Sequence, residues 1–438
     1  MMWIEDNQRY SKTQFKQTYP QISSYLLDQT LEQLDLEDKL LVFARRDADQ
    51  ALLDGQSKIF ESFNQQVKTG NVIGFLGYGD DQLEIHTRFS QNDDFFLNYL
   101  LQKVMDFKLV NLESGLGLSD SYYDFMFYLF PRYLNQAMRK GIYREYRYFE
   151  HNDTHLKGTF KPARHLKENT PFMGKVAYTT RDYTVQTDLL YLIRHTLEYL
   201  KINKPVVYEY LLQSDESRAN LSFILNQSQD FYRVSLDQSI QTNLKKPVNH
   251  AFYTEYRQLQ LLCLLILQQE KHGLNSSPNK VYGILFDVAW LWEEYLYLIL
   301  ANLDFQHPQS KQRSDGVLLY QKMYGKHRNR TVYPDFYHPD GLVLDAKYKR
   351  ADHGIQRNDL YQIITYSHIL NAKTAGIIFP SLSQHQCDIL GDLAGLGGQI
   401  FKLGFQIPQE APNYAAFVQT MIASEKQVKN HLQNFLEQ

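Results

Sequence analysis

One segment in the last third of the chain constrains the fold more than any other. It reads P-D-F-Y-H-P-D-G-L-V-L-D-A-K-Y-K, from Pro334 to Lys349. Apolar residues stand on both sides of H-P-D-G, whose Pro, Asp and Gly are typical of a tight turn. The pattern predicts strands over 331–337 and 341–349, paired as an antiparallel hairpin, and we expect Asp335 and Asp345 on its facing arms.

Asp345 and Lys347 are two positions apart, so on a strand both side chains point to one face. Val343 shares that face, and Leu342 and Leu344 point to the other. Two neighbouring carboxylates create a site for a hard cation, which phosphodiester hydrolysis uses to activate water and to offset negative charge. An Asp and a Lys that only form a salt bridge at an exposed strand end would show the same sequence pattern. The motif alone therefore favours a metal-dependent nuclease only modestly.

Composition limits the class of protein. With 438 residues, 43% hydrophobic and 22% charged, the chain is globular and long enough for two or three domains. Two cysteines, no signal-like N-terminus and no long apolar run predict a cytoplasmic protein without disulfides or a membrane span. The net charge is −3, but residues 311–357 hold ten Lys/Arg against five acids. Such a local basic segment is what a nucleic-acid enzyme of mild overall charge needs.

The remaining secondary structure follows from hydrophobic spacing. Glycines 74, 77 and 79 lie in a segment that is predicted to form a hairpin. They are assigned to turns and bulges, because their order does not match that of a dinucleotide-binding loop. Helices are predicted over 22–43, 92–106, 121–140, 250–271 and 284–303. Strands are predicted in a hairpin within 71–89, and over 142–150, 156–160, 175–183 and 317–324.

The segment N-S-S-P-N, near 274–280, is the best domain boundary in the second half. We predict a mixed α+β protein with an N-terminal and middle α+β region, 1–275, and an α/β domain, 276–438. A further boundary is expected near 110–140. Residues 139–194 carry eleven Lys/Arg against six acids. This charge fits either a solvated face or a contact with nucleic acid or a partner protein.

Several segments together resemble a known family. P-D-F and D-A-K-Y-K resemble the core of PD-(D/E)xK restriction-endonuclease-like nucleases, and N-D-L-Y-Q-I-I-T-Y resembles the Q-x-x-x-Y helix of the RecB-like branch. With L-F-D-V-A-W-L-W-E-E-Y-L, L-K-G-T-F-K-P-A-R-H-L-K and I-G-F-L-G-Y-G-D-D-Q-L-E-I-H-T-R-F, the chain is similar to the McrC family. McrC is the nuclease subunit of the McrBC modified-cytosine restriction system. The likeness covers most of residues 70–380.

The resemblance implies a role for each matching residue. The metal ligands would be Asp335, Asp345, the carbonyl of Ala346 and a helix acid, either Glu293 or, as second choice, Glu294. Lys347 would be the catalytic lysine, Gln362 and Tyr366 would shape the site or touch DNA, and Lys349 and Arg350 would contact phosphates. Glu293 is preferred because it shares a predicted apolar stripe with Phe286, Trp290, Tyr297 and Leu300, where a carboxylate needs a partner. The implied cofactor is Mg²⁺, with Mn²⁺ as a substitute.

The resemblance also implies a division of labour. This chain has no P-loop and would bind no nucleotide. A AAA+ GTPase ring, engaged through 1–275, would recognise modified DNA and be stimulated by this chain. We therefore predict a Mg²⁺-dependent DNA endonuclease subunit of a GTP-dependent restriction complex. The alternatives are an assembly subunit of the ring with an idle nuclease core, and a stand-alone nuclease.

Overall fold

Strand pairing joins N-terminal segments of the chain with residues 282–287 in a single mixed sheet. In the computed structural model its strands are, in order, β1 (Ile4–Glu5), β7 (Asp81–His86), β6 (Val72–Tyr78), β11 (Tyr282–Asp287) and β3 (Lys39–Phe43). β11 lies between two N-terminal strands, antiparallel to β6 and parallel to β3. The structure describes residues 2, 4–30, 39–43, 58–90, 94–105, 121–272, 281–308, 316–322, 324, 330–351, 354–383, 386–395 and 397–437.

The chain divides into two units that differ from the predicted domains. The first unit combines Met1–Ser119 with Pro278–Gln438, and the second is Asp120–Ser277. The boundary predicted near 276 coincides with the end of the second unit. In the structure the first 119 residues group with the C-terminal part of the chain, because β11 inserts between β6 and β3. Such a pairing between distant segments leaves no local signal in the sequence.

Two predicted helices are wrong in part for the same reason. The helix expected over 22–43 is confined to α2 (Pro20–Leu26), 39–43 is strand β3, and 31–38 lie outside the described residues. The helix expected over 284–303 begins only at Val288, and its first four predicted residues belong to β11. A short apolar run is compatible with both the helical and the strand repeat, so the available strand partner determines which structure forms.

The predicted hairpin near the N-terminus is confirmed. β6 and β7 pair antiparallel, with Tyr78 opposite Asp81 across the turn. Gly74 has a φ of +127°, and a Cβ at this position would lie 2.1 Å from the carbonyl oxygen of Ile284. Only glycine therefore permits the close approach of β6 to β11.

A second mixed sheet carries most of the segment from Pro334 to Lys349. Its strands are, in order, β14 (Phe336–His338), β15 (Leu342–Ala346), β16 (Thr374–Ser381), β18 (Gln399–Gln406) and β17 (Gln386–Asp392). β15, β16 and β18 are parallel, and the edge strands are antiparallel to their neighbours. The strands predicted over 317–324 and 331–337 are shorter, and they include β12 (Val317–Leu318) and β13 (Thr331–Val332), which pair together. Helix α12 (Arg357–Ile369) packs on one face, where Ile363 joins Val343 and Ile377 in an apolar cluster.

The first unit contains further described strands and helices. They are the strands β2 (Arg9–Ser11), β5 (Gln66–Thr69) and β4 (Phe60–Phe63), which form a three-stranded sheet, and the helices α1 (Lys12–Thr18), α3 (Phe95–Met105), α11 (Val288–Leu300) and α13 (Tyr414–Leu436). α3 confirms the helix predicted over 92–106. At the start of α11 the Asp287 carboxylate accepts the backbone N–H groups of Ala289 and Trp290 at 2.9 and 3.3 Å. This cap fixes where the helix begins.

The second unit is mainly helical. Its helices are α4 (Ser121–Met138), α5 (Pro162–Glu168), α6 (Asp188–Asn203), α7 (Pro205–Gln213), α8 (Asp215–Gln227), α9 (Leu236–Lys245) and α10 (Thr254–His272). An antiparallel sheet of β8 (Glu145–Asp153), β10 (Val176–Thr184) and β9 (Thr159–Phe160) completes it. The helices and strands predicted in this region are confirmed with shifted ends. Across the described parts of both units, no helix has the length and apolar character required to cross a membrane.

Replacing Gly74 with Ala should destabilise the first unit by about 2–4 kcal/mol, because the new methyl group meets backbone rather than a movable side chain. Gly391→Ala is the matched control. Gly391 has a φ of +149°, but a Cβ there has open space around it. Chemical denaturation of the two variants separates the steric clash from backbone strain, and equal losses of stability would contradict the close approach.

Candidate metal centre

The hairpin of β14 and β15 brings Asp335 and Asp345 together as predicted. Phe336 pairs with Leu344 in the antiparallel register, so Asp335, directly before β14, lies across from Asp345. The backbone N–H of Ala346 donates to Asp335 Oδ2 at 2.8 Å. Gly341, with a φ of +91°, closes the turn by donating to the His338 carbonyl at 3.1 Å. The two carboxylates are therefore placed by main-chain geometry.

Asp345 is a buried carboxylate with unused acceptor capacity. Its side chain is 0% exposed, and neither oxygen accepts a hydrogen bond of good geometry from the described residues. Lys347 Nζ lies 2.9 Å from Oδ2. Burial and the neighbouring charge of Asp335 raise the pKa of Asp345 to about 7, against the opposing effect of Lys347. A buried anion in this state is costly unless a cation compensates it, and the oxygen donors of Asp335 and Asp345 suit a hard divalent cation.

Lys347 begins a chain of polar contacts that ends on α12. Its ammonium donates to Gln362 Oε1 at 3.0 Å, and Gln362 Nε2 donates to the Tyr366 hydroxyl at 3.0 Å. Burial alone would lower the pKa of Lys347, but the charges of Asp345 and Asp335 raise it above its ordinary value. The ammonium is therefore charged and held at two points. The structure thus brings together four residues predicted for the site: Asp345, Lys347, Gln362 and Tyr366.

The next basic residues along the strand have protein partners. Lys349 forms an ion pair with the buried Asp359 and donates to Gln356 Oε1 at 3.2 Å. Arg350 donates to the carbonyl oxygen of Arg88 at 3.4 Å. Their predicted role as phosphate contacts stays a prediction. Asp359 was not predicted from the sequence, although its charge also raises the pKa of Asp345.

The two candidate helix acids, Glu293 and Glu294, lie beside the buried face of α11 and not within it. The buried face of α11 is centred on Leu291, Trp292 and Tyr295, so the apolar stripe predicted around Glu293 is displaced from the true one. Glu293 is half-buried, and Glu294 accepts the indole N–H of Trp290 at 3.2 Å. Among the described residues, no group of three or more His, Cys, Asp or Glu side chains could hold a metal. Glu293 as a third carboxylate ligand therefore remains a prediction.

His307 holds Asp335 in place and had no signal in the sequence. Its Nδ1 donates to the Asp335 carbonyl oxygen at 2.5 Å, and its ring stacks on Phe336 with centroids 4.9 Å apart. Tyr297, one turn after Glu293 on α11, contacts the same imidazole at 5.2 Å between centroids. The face of α11 that bears Glu293 and Tyr297 is thereby connected to the main chain of Asp335.

Comparison with known proteins identifies one family. A family model described as McrBC 5-methylcytosine restriction system component matches residues 67–380. A solved structure of Thermococcus gammatolerans McrB AAA+ hexamers with bound McrC, a half-complex from a tetradecameric assembly, aligns at 15% identity and a TM-score of 0.44, over 98% of this chain and 99% of that chain. A cryo-EM structure of the Thermococcus gammatolerans McrBC complex aligns at 12% identity and a TM-score of 0.34, over 68% and 87%. No curated protein matches the chain.

The substitution Asp345→Asn should stabilise the metal-free protein at pH 8. Because the folded pKa of Asp345, about 7, lies above its value in an unfolded chain, its contribution to stability is full below about pH 4 and is lost as pH rises through 7. We expect the free energy of unfolding in a chelator to rise by about 1–3 kcal/mol at pH 8, and the variant to lose this advantage at pH 4.

The control is Asp388→Asn, which removes a half-exposed carboxylate that lies 3.1 Å from Lys402. It should not raise stability at pH 8. Denaturant titrations at the two pH values are sufficient. A wild-type protein that is more stable than Asp345→Asn at pH 8 without metal would contradict the buried, uncompensated charge.

Proposed function

The chain belongs to the family of McrBC 5-methylcytosine restriction system components, and we propose that it is the DNA-cleaving subunit of such a system. The proposed activity is Mg²⁺-dependent hydrolysis of DNA phosphodiester bonds by a PD-(D/E)xK core. The observation that carries the proposal is the buried carboxylate of Asp345, which faces Asp335 across the hairpin and has the Lys347 ammonium at 2.9 Å. A mere strand-end salt bridge would be exposed, whereas this one is buried.

The donor set fits a resident Mg²⁺ ion. Asp335 and Asp345 would hold it, with the Ala346 carbonyl and Glu293 as the further ligands that the family resemblance implies. Asp335 Oδ2 accepts a hydrogen bond from the N–H of Ala346, so this carboxylate would meet the cation in a fixed orientation. When bound, the cation would lower the pKa of a water and offset charge on the phosphate.

The chain's own residues orient the reactants. Lys347 forms an ion pair with Asp345 and donates a hydrogen bond to Gln362. An ammonium has three protons, so Lys347 can also donate to a phosphate oxygen or to the attacking water. Gln362 and Tyr366 fix the direction of that ammonium from α12. Because the site is buried, these charges act through a lower effective dielectric than in water and stabilise developing charge more strongly.

Control of cutting would come from a partner GTPase ring of the AAA+ type, bound by the second unit. On the exposed face of β8 and β10, Tyr148 stands opposite Arg181, and Tyr146 opposite Tyr183. The Arg181 guanidinium lies 4.4 Å from the Tyr146 ring centroid, and Tyr148 is 71% exposed. An exposed patch of tyrosine and arginine has the composition of a protein interface. We name these four residues the tyrosine–arginine patch.

Removing either the carboxylate of Asp345 or the ammonium of Lys347 should abolish DNA cleavage and leave stimulation of the partner GTPase unchanged. Asp345→Ala and Lys347→Ala are expected to lower the single-turnover rate of DNA cleavage at least 1000-fold in the presence of the ring, GTP and Mg²⁺. Both variants should stimulate GTP hydrolysis as the wild type does. Lys373→Ala, at an exposed position next to β16, is the charge-matched control and should cut normally.

Three outcomes would contradict this function. Cutting by both variants at the wild-type rate would show that the site is elsewhere. A wild-type chain that stimulates the GTPase but never cuts modified DNA would make it an assembly subunit with an idle core. Efficient cutting by the purified chain alone would identify a stand-alone nuclease.

The tyrosine–arginine patch should govern stimulation of the partner GTPase. The double substitution Tyr148→Ala, Arg181→Ala is expected to raise, by at least 10-fold, the concentration of this chain that gives half-maximal GTPase stimulation, because it removes the centre of the contact. Its affinity for Mn²⁺ should equal that of the wild type. Arg218→Ala, which removes an exposed guanidinium of the same unit, is the control. Unchanged stimulation by the double variant would exclude the patch as the ring contact.

A further inference from the structure

The residues that follow β15 contact α12 on one side and the N-terminal segment on the other. Side chains alternate here: Lys347 and Lys349 point to α12, whereas Tyr348 and Arg350 contact residues 87–88. Lys347 thus lies on a short extended stretch. The next residue, Tyr348, takes part in a different set of contacts, those with residues 87–88. Both chain segments lie in the first unit.

Tyr348 is held by four contacts with three residues. Its hydroxyl donates to Thr87 Oγ1 at 3.0 Å, and its carbonyl accepts a hydrogen bond from Arg88 Nη2 at 3.3 Å. The Arg88 guanidinium also lies 4.9 Å from the centroid of the Tyr348 ring. The ring is packed edge-on against Phe89 at 5.0 Å between centroids. Tyr348 is 7% exposed, so neither its ring nor its peptide can turn without breaking these contacts.

Arg88 is itself anchored by a fully buried acid. Arg88 Nη2 lies 2.7 Å from Asp6 Oδ2, and the backbone N–H of Arg88 donates to Asp6 Oδ1 at 2.8 Å. The same Nη2 donates to Asn71 Oδ1 at 2.9 Å. Asp6 directly follows β1, which pairs with β7. A buried ion pair of this kind is a weak source of stability but imposes a definite geometry, which argues for a role other than holding the fold together.

We propose that Arg88 and Asp6 are positioning residues for Lys347, acting through Tyr348. The buried ion pair holds the guanidinium, the guanidinium holds the Tyr348 ring and carbonyl, and the fixed peptide aims the Lys347 ammonium at the space between Asp345 and Gln362. We name Asp6, Thr87, Arg88 and Tyr348 the arginine clamp. The proposal rests on the proposed nuclease function and adds to it a requirement for the first residues of the chain.

The clamp can be opened without leaving a buried charge unpaired. In the double variant Asp6→Asn, Arg88→Met both charges are removed, and the asparagine oxygen can still accept the N–H of residue 88. Tyr348→Phe is the milder variant, since it removes only the hydrogen bond to Thr87. A charge-matched control in the same segment is Asp28→Asn, Lys58→Met, which removes a half-exposed pair with 3.4 Å between its atoms.

We expect the full-length double variant, with the partner ring, GTP and Mg²⁺, to cut modified DNA about 10- to 100-fold more slowly at saturating Mg²⁺, since small misplacements of a catalytic group cost this much. Tyr348→Phe should cut about 2- to 5-fold more slowly. The Mg²⁺ concentration for half-maximal rate and the GTPase stimulation should not change, because the carboxylates and the second unit are untouched. A purely structural role would lower the unfolding temperature and leave the rate at a permissive temperature unchanged.

Chemical modification of lysines gives a readout that does not need nuclease activity. With acetic anhydride and peptide mass spectrometry, Lys347 should react several-fold faster in the double variant than in the wild type. Lys402, a partly buried lysine of the same sheet, should react equally in both. If the wild-type chain cuts no DNA, the proposed function fails, and this reactivity alone decides whether the clamp exists.

The clamp is overturned if the folded double variant cuts at the wild-type rate, or if the reactivity of Lys347 is unchanged. It is also overturned if the reactivities of Lys347 and Lys402 rise together, because that indicates general loosening. If the double variant does not fold, Tyr348→Phe is used for the test. The proposal is then overturned if Tyr348→Phe cuts DNA at the wild-type rate and its Lys347 reacts as in the wild type.

Discussion

The contact on which the rest of the site depends is the approach of two carboxylates across one antiparallel hairpin. Asp345 is buried beside Asp335, and its pKa is raised to about 7 by burial and by that neighbour. The surrounding structure preserves this unfavourable arrangement. His307 holds the main chain of Asp335, the N–H of Ala346 holds its carboxylate, and Lys347 offsets part of the charge. In the function proposed here, this arrangement would serve a cation and a reacting phosphate at the expense of stability.

The first unit is assembled from both ends of the chain, and the second unit is inserted between them. β11 lies between β6 and β3, and Arg88 reaches Tyr348 beside Lys347. The N-terminal segment is therefore part of the unit that carries the proposed cutting site. In the function proposed here, the inserted unit receives the partner ring through the tyrosine–arginine patch. Cutting could then be abolished by mutation without loss of partner binding.

Local patterns predicted the parts of the protein that local interactions determine. The hairpin with Asp335 and Asp345 follows from a turn sequence. The resemblance implied a place for Gln362 in the site, but its contact with Lys347 was not predicted. The first hairpin followed from its glycines and alternation. Residues 39–43 and 284–287 were assigned to helices because a short apolar run fits both periods, and only a distant strand partner makes them β. His307 and Arg88 gave no signal, since what matters is the backbone carbonyls they reach, and any residue supplies a carbonyl.

The most direct test of the central claim is to locate the cation. Crystals of the full chain soaked in Mn²⁺ and measured near the manganese absorption edge would give an anomalous difference map. We predict one peak within coordination distance of a carboxylate oxygen of both Asp335 and Asp345, absent in crystals of Asp345→Asn. A map with no peak between these carboxylates, or with an equal peak in the variant, would contradict the account.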